Sequence, residues 1–187
     1  MREPRTSDHG FTLIEVLVAT LILSSGAIAA AGLFVTAAAS TRTAKVETQS
    51  TLFAAAKMEQ LHALAWGYDI SGGPVTDTST DLSVEPPSSG GTGLRASPID
   101  SLDRNCSGFV DYLDAGGRWV GTGSAPPAQA VYLRRWSIQP LAQFPNDGLV
   151  LEVLVTSVAR DRSRITAANA RRGLEGALVA VRMRHAR

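Results

Sequence analysis

Glu15 is the side chain whose setting most demands a chemical partner. It stands at the head of Val16 to Thr41, a run of 26 residues without a charged side chain, and a carboxylate is costly inside a hydrocarbon layer and less so near its interface. That cost calls for either a partner of opposite charge, which would specify alignment more than stability, or an interfacial position from which the carboxylate reaches the headgroups. The other candidate groupings are weaker. Asp100, Asp103, Asp111 and Asp114 gather around a glycine-containing loop, but their spacing does not match the twelve-residue calcium loop, and a hydrophilic loop is expected. Gly90-Gly91-Thr92-Gly93 lacks the strand, lysine and helix of a phosphate cradle. His9, His62 and His185 are scattered without ligand spacing, and no serine sits in a glycine-bracketed nucleophile motif. No catalytic site, metal site or cofactor is expected.

The elements that must hold Glu15 follow from the pattern around it. At ~1.5 Å per residue the uncharged run makes ~39 Å of helix, enough to cross a ~30 Å hydrocarbon core. Helix formers persist from Phe11 to about Trp66, with Gly26 and Gly32 as the only glycines. Residues 11–41 are therefore expected to be membrane-embedded. Residues 42–66 turn amphipathic: Val46, Phe53, Leu61 and Leu64 fall on one face, although Lys57 intrudes on it. Gly67 is the expected stop. Gly26 and Gly32 weaken a helix interior, and each offers local melting or close helix approach.

Residues 67–130 are rich in serine, threonine, glycine, proline and aspartate, and predict loops with short strands at 108–113 and 118–120. Residues 131–187 read as sheet, with strands at 131–138, 149–158 and 174–183 and a turn signal at Pro145-Asn146-Asp147-Gly148. Short connections favour an antiparallel meander with one face on the helix and the other more polar. Arg160 to Gly173, with five arginines, is expected to be a solvated connection. The predicted class is α+β, a long amino-terminal helix on a small carboxy-terminal antiparallel sheet. The net charge of +1 gives no bulk argument for nucleic-acid binding, and Cys106, the one cysteine of the 187 residues, excludes an intramolecular disulfide. A secretory reading also exists, since Ala27-Ile28-Ala29 and Ala29-Ala30-Ala31 are small-x-small cleavage candidates after an apolar core.

The run Gly10-Phe11-Thr12-Leu13-Ile14-Glu15, leading into one apolar helix, resembles the processing site and first helix of the type IV prepilins and pseudopilins. The resemblance implies that residues 1–10 are a leader, that a prepilin peptidase cuts between Gly10 and Phe11, and that the Phe11 amine is then methylated. It implies that Glu15, fifth in the mature chain, meets the amine of a neighbouring subunit and sets axial register. It also implies that residues 11–41 form a filament-core helix, where Gly32 stands at a position that is often proline. Many major pilins close a carboxy-terminal loop with a cysteine pair that this chain lacks, so the resemblance is greatest to a minor pilin. That implies a structural role in a type IV pilus, with a type II secretion pseudopilin, or a secreted or anchored binding module, as alternatives. The implied partners are other pilin subunits, the peptidase, an inner-membrane assembly platform and, before assembly, lipid. The implied location is the inner membrane, single-pass with the amino terminus cytoplasmic and the carboxy-terminal domain periplasmic, and then the pilus; loop charges alone do not give this orientation.

Overall fold

A computed structural model describes residues 11–161 and 176–184. The chain divides into two compact units, residues 1–44 and 45–187. One helix, α1 (Leu13–Ala63, 51 residues), contributes to both. It forms because leucine, alanine and other helix formers run without a proline from end to end. Every residue from Phe11 to Lys45 is exposed, and the first buried position of α1 is Ser50.

The helix stops at Ala63, short of the expected Trp66, and Gly67 is not its cap. Gly67 lies in strand β1 (Trp66–Tyr68), opposite Val75 of β2 (Pro74–Thr76). The last turn is closed instead from the far end of the chain: the Arg182 guanidinium donates to Leu61 O at 3.1 Å and to Leu64 O at 2.8 Å. A cation there satisfies orphan carbonyls and faces the negative end of the helix dipole, so no left-handed glycine is needed.

The second unit is an α+β arrangement. After a small pair, β3 (Thr80–Asp81) and β4 (Ser88–Ser89), come β5 (Val110–Leu113), β6 (Trp119–Gly121), β7 (Tyr132–Leu141), β8 (Phe144–Ser157) and β9 (Gly176–Met183). The last five form one antiparallel sheet in the order β6-β5-β7-β8-β9. The two expected short strands thus become β5 and β6. Of the connection read as solvated, residues 162–173 lie outside the described residues.

The β7–β8 turn is displaced from the expected Pro145–Gly148. Leu141 pairs with Phe144, so the chain reverses at Ala142-Gln143, and 145–148 belong to β8. Long-range pairing overrides the local turn signal. Gly148 pairs with Met183, the Arg184 N–H donates to Asp147 O at 2.7 Å, and the Tyr68 hydroxyl donates to the Asp147 carboxylate.

Residues 45–63 of α1 pack on one face of this sheet. Ala54, Met58, Leu61 and Leu64 meet Tyr132, Trp136, Ile138, Leu151, Val153 and Val155, with Val46 and Phe53 partly buried beside them. Fully burying a side chain such as Leu61 stabilises by roughly 1.5–3 kcal/mol. The helix comes so near β9 that a Cβ on Gly176 would lie 2.5 Å from the Ser50 carbonyl carbon, which admits only glycine.

Lys57, which interrupts the apolar stripe in sequence, is fully buried at this interface. Its ammonium lies 2.8 Å from Asp111, donates to Leu82 O at 2.6 Å and sits 4.5 Å from the centroid of the Trp136 ring. Arg134 grips the same carboxylate with two bonds of 2.7 Å. Burial, with a smaller contribution from the Arg134 charge, pushes the Lys57 ammonium down to about 8 against the pull of Asp111.

The opposite face is less polar than expected. Val110, Tyr112, Leu133 and Val158 form a second buried cluster there. The segment before β5 covers β7: the Ser97 and Ser137 hydroxyls lie 3.2 Å apart, Gln139 donates to Ser97 O, and Arg135 is held by Asn105 and Asp161. The arginine is thereby buried and paired.

Candidate functional site

The first described residues build a helix start that closes on itself. Thr12 is the N-cap: the Glu15 N–H donates to Thr12 Oγ1 at 3.3 Å, and the Thr12 N–H and hydroxyl each donate to Glu15 Oε2 at 3.0 Å. This reciprocal capping box satisfies orphan amide donors at both positions, and the carboxylate faces the positive end of the helix dipole. The spacing Thr12-x-x-Glu15 ahead of an apolar run is a legible signal for it, and the sequence reading, attending to charge, passed over it. Glu15 is therefore fixed in orientation yet fully exposed, open to a second partner. Phe11, directly before the cap, is 88% exposed. Residues 1–10, expected to be a leader ending at Gly10, lie outside the described residues.

Beyond the cap the helix is apolar all round. Leu13, Ile14, Val16, Leu17, Val18, Leu21, Ile22 and Leu23 are all about half exposed or more. Such a surface far exceeds the patch of a few hundred Å² usual on a water-soluble monomer, and calls for lipid or other helices around it. The polar side chains within it are silenced internally. Thr20 donates to Leu17 O, Ser24 to Leu21 O, Ser25 to Ile22 O, and Thr36 to Leu33 O, each at 2.9 Å. Hydroxyls bonded back to their own helix need no water, so the segment satisfies a hydrocarbon environment. It is long and apolar enough to cross a membrane. A Cβ on Gly26 or Gly32 would meet nothing within 4 Å.

The other sequence candidates do not converge on a site. Asp100 pairs with Arg104, Asp111 is buried in its ion cluster, and Asp114 accepts from the Gly116 and Arg118 amides. Among the described residues no three histidine, cysteine or acidic groups are placed to hold a metal. At Gly90–Gly93 the amides of Gly90, Gly91 and Gly93 donate to Ser79 O and Thr80 O, which spends the donors that a phosphate would use. Cys106 is half-buried, a free thiol beside Asp100.

Residues 5–31 match the family described as the prokaryotic N-terminal methylation motif. No curated protein and no solved structure matches the chain. The matched stretch spans the cap, the exposed aromatic and the first half of the apolar segment. This motif supports a likeness to the type IV prepilins and pseudopilins, and the long helix on an antiparallel sheet that follows it is pilin-like in its architecture.

Proposed function

We propose that this chain is a structural minor pilin, processed by prepilin peptidase and incorporated into, or priming, a type IV pilus. Pilins are structural proteins, and the motif over residues 5–31 implies peptidase processing and assembly with other pilins. The observation that carries the proposal is the capped, exposed apolar segment of α1 that directly follows Phe11 and Thr12. In this reading the cut falls between Gly10 and Phe11 and the new Phe11 amine is methylated. Residues 11–41 hold the chain in the inner membrane until they are transferred into a bundle of like helices. The apolar surface goes from lipid to protein, so the transfer costs little hydrophobic free energy.

Glu15 then meets the amine of a neighbouring subunit. The capping box leaves Glu15 Oε1 without a bond from Thr12 and holds the side chain in one orientation. A pair formed in that low-dielectric bundle sets axial register, because a misaligned subunit would leave its charge unpartnered. Gly26 and Gly32, where nothing crowds the backbone, give the helix places to loosen or to let a neighbour approach. The absence of a cysteine pair favours a minor over a major subunit.

The test is mass spectrometry of the mature amino terminus from cells with an active prepilin peptidase, together with a search for the chain in sheared surface fibres. A methylated Phe11 and presence in fibres are expected. A start near Ala30 or Gly32 supports an ordinary signal peptide instead, and correct processing without fibre incorporation supports a secretion pseudopilin.

A further inference from the structure

Arg42 is the first charged side chain after Glu15, 27 positions further along α1. At ~1.5 Å per residue the two stand ~40 Å apart along the helix axis, which matches a bilayer measured across its headgroup layers, about 40–45 Å, rather than its ~30 Å hydrocarbon core. With Glu15 at one interface, Arg42 stands at the level of the lipid phosphates of the other. The match holds whichever way the helix points across the membrane.

The arginine is exposed, and among the described residues its guanidinium has no ion pair. The positions three and four away, which face it on a helix, offer no acid: they are Ala38, Ala39, Lys45 and Val46. Glu47, five positions on, lies about 140° around the helix. The local chain thus supplies a like charge in Lys45 and no counter-ion. Helical side chains lean toward the amino end, so the guanidinium is carried back toward the membrane over Ala38 and Ala39, whose methyl groups leave room beside it. The Thr41 and Thr43 hydroxyls donate to Ala37 O at 2.9 Å and Ala39 O at 3.2 Å and are spent on their own helix. We propose that Arg42 binds the phosphate group of a bilayer lipid, most tightly that of a net-anionic headgroup. A guanidinium meets two phosphate oxygens with parallel N–H bonds, which an ammonium does not. The contact fixes the depth of α1, because sliding the helix either way draws Glu15 or Arg42 into hydrocarbon. This rests on the reading of residues 11–41 as membrane-embedded.

The test uses the full-length protein in vesicles of phosphatidylcholine and phosphatidylglycerol, in phosphate-free buffer, with its arginines isotope-labelled at the guanidinium carbon. Solid-state NMR should show dephasing of that carbon signal by lipid phosphorus, and part of the dephasing should vanish in Arg42→Gln. Phosphatidylglycerol should be enriched about fivefold around the wild-type helix, and Arg42→Gln should bring the two lipids close to parity. Lys45→Gln, ~4.5 Å further out, should leave both readings near the wild type. The proposal is overturned if Arg42→Gln changes neither reading, or if Lys45→Gln abolishes both as fully, since the attraction would then be a diffuse field rather than a site. Amide exchange over residues 16–41 in the same vesicles reports the membrane reading on its own. Slow exchange with no effect of Arg42→Gln removes the phosphate contact alone, and fast exchange throughout removes both.

Discussion

Glu15 and Asp111 are both carboxylates at critical places, and the chain satisfies them by opposite means. Glu15 closes on Thr12, three residues away on the same helix start, and remains open to solvent. Asp111 is sealed in the sheet between Lys57 and Arg134, which reach it from the helix and the neighbouring strand. The first leaves a charge available to another chain. The second consumes its charge inside this one, and aligns the helix on the sheet.

The contrast predicts very different sensitivities. Asp111→Ala strands two buried cations and should cost about 3–5 kcal/mol, read as a loss of midpoint in chemical denaturation of the sheet unit. A loss below about 1 kcal/mol would mean that water reaches the cluster. The same cluster should make stability rise in alkali. Folded Lys57 releases its proton near pH 8, while in the unfolded chain it holds it to 10.5. Between those values the unfolded state binds more protons, so stability increases with pH, by at most about 3 kcal/mol for this one group. Lys57→Met, which keeps the apolar stem and leaves Asp111 with Arg134, should flatten that rise when the two pH profiles are compared.

Glu15→Ala should behave in the opposite way. Denaturation of the sheet unit and membrane insertion should be unchanged, while recovery of the variant in filaments falls. Normal incorporation would remove the register role assigned to Glu15. The smallest effect belongs to the other half of the box: Thr12→Ala should speed amide exchange in the first turn of α1, and Thr12→Ser should restore the wild-type rate.

Local features were legible because their causes are local. The apolar stripe of Val46, Phe53, Leu61 and Leu64 and the β-branched segments that became β7, β8 and β9 each report a burial periodicity that the structure bears out, and the uncharged run is helical as its composition predicts. Where a distant partner decides, reading along the chain pointed elsewhere. The turn expected at Pro145–Gly148 became strand because Met183 and Arg184 pair there, and the helix end expected at Gly67 is made by Arg182. At the candidate site the sequence located the acid and the aromatic, and the structure added the cap that orients the acid.

The sequence by itself determined that residues 16–41 are a membrane-compatible, uncharged stretch headed by one acid, because hydrophobicity and charge are read from residues a few positions apart. Only the tertiary structure decided that Lys57 is an anchor rather than a surface charge, and that Arg182 closes the end of α1. Both depend on which segments meet in space, and the free energy of a buried charge or of a helix end's open carbonyls is set by neighbours far away in sequence.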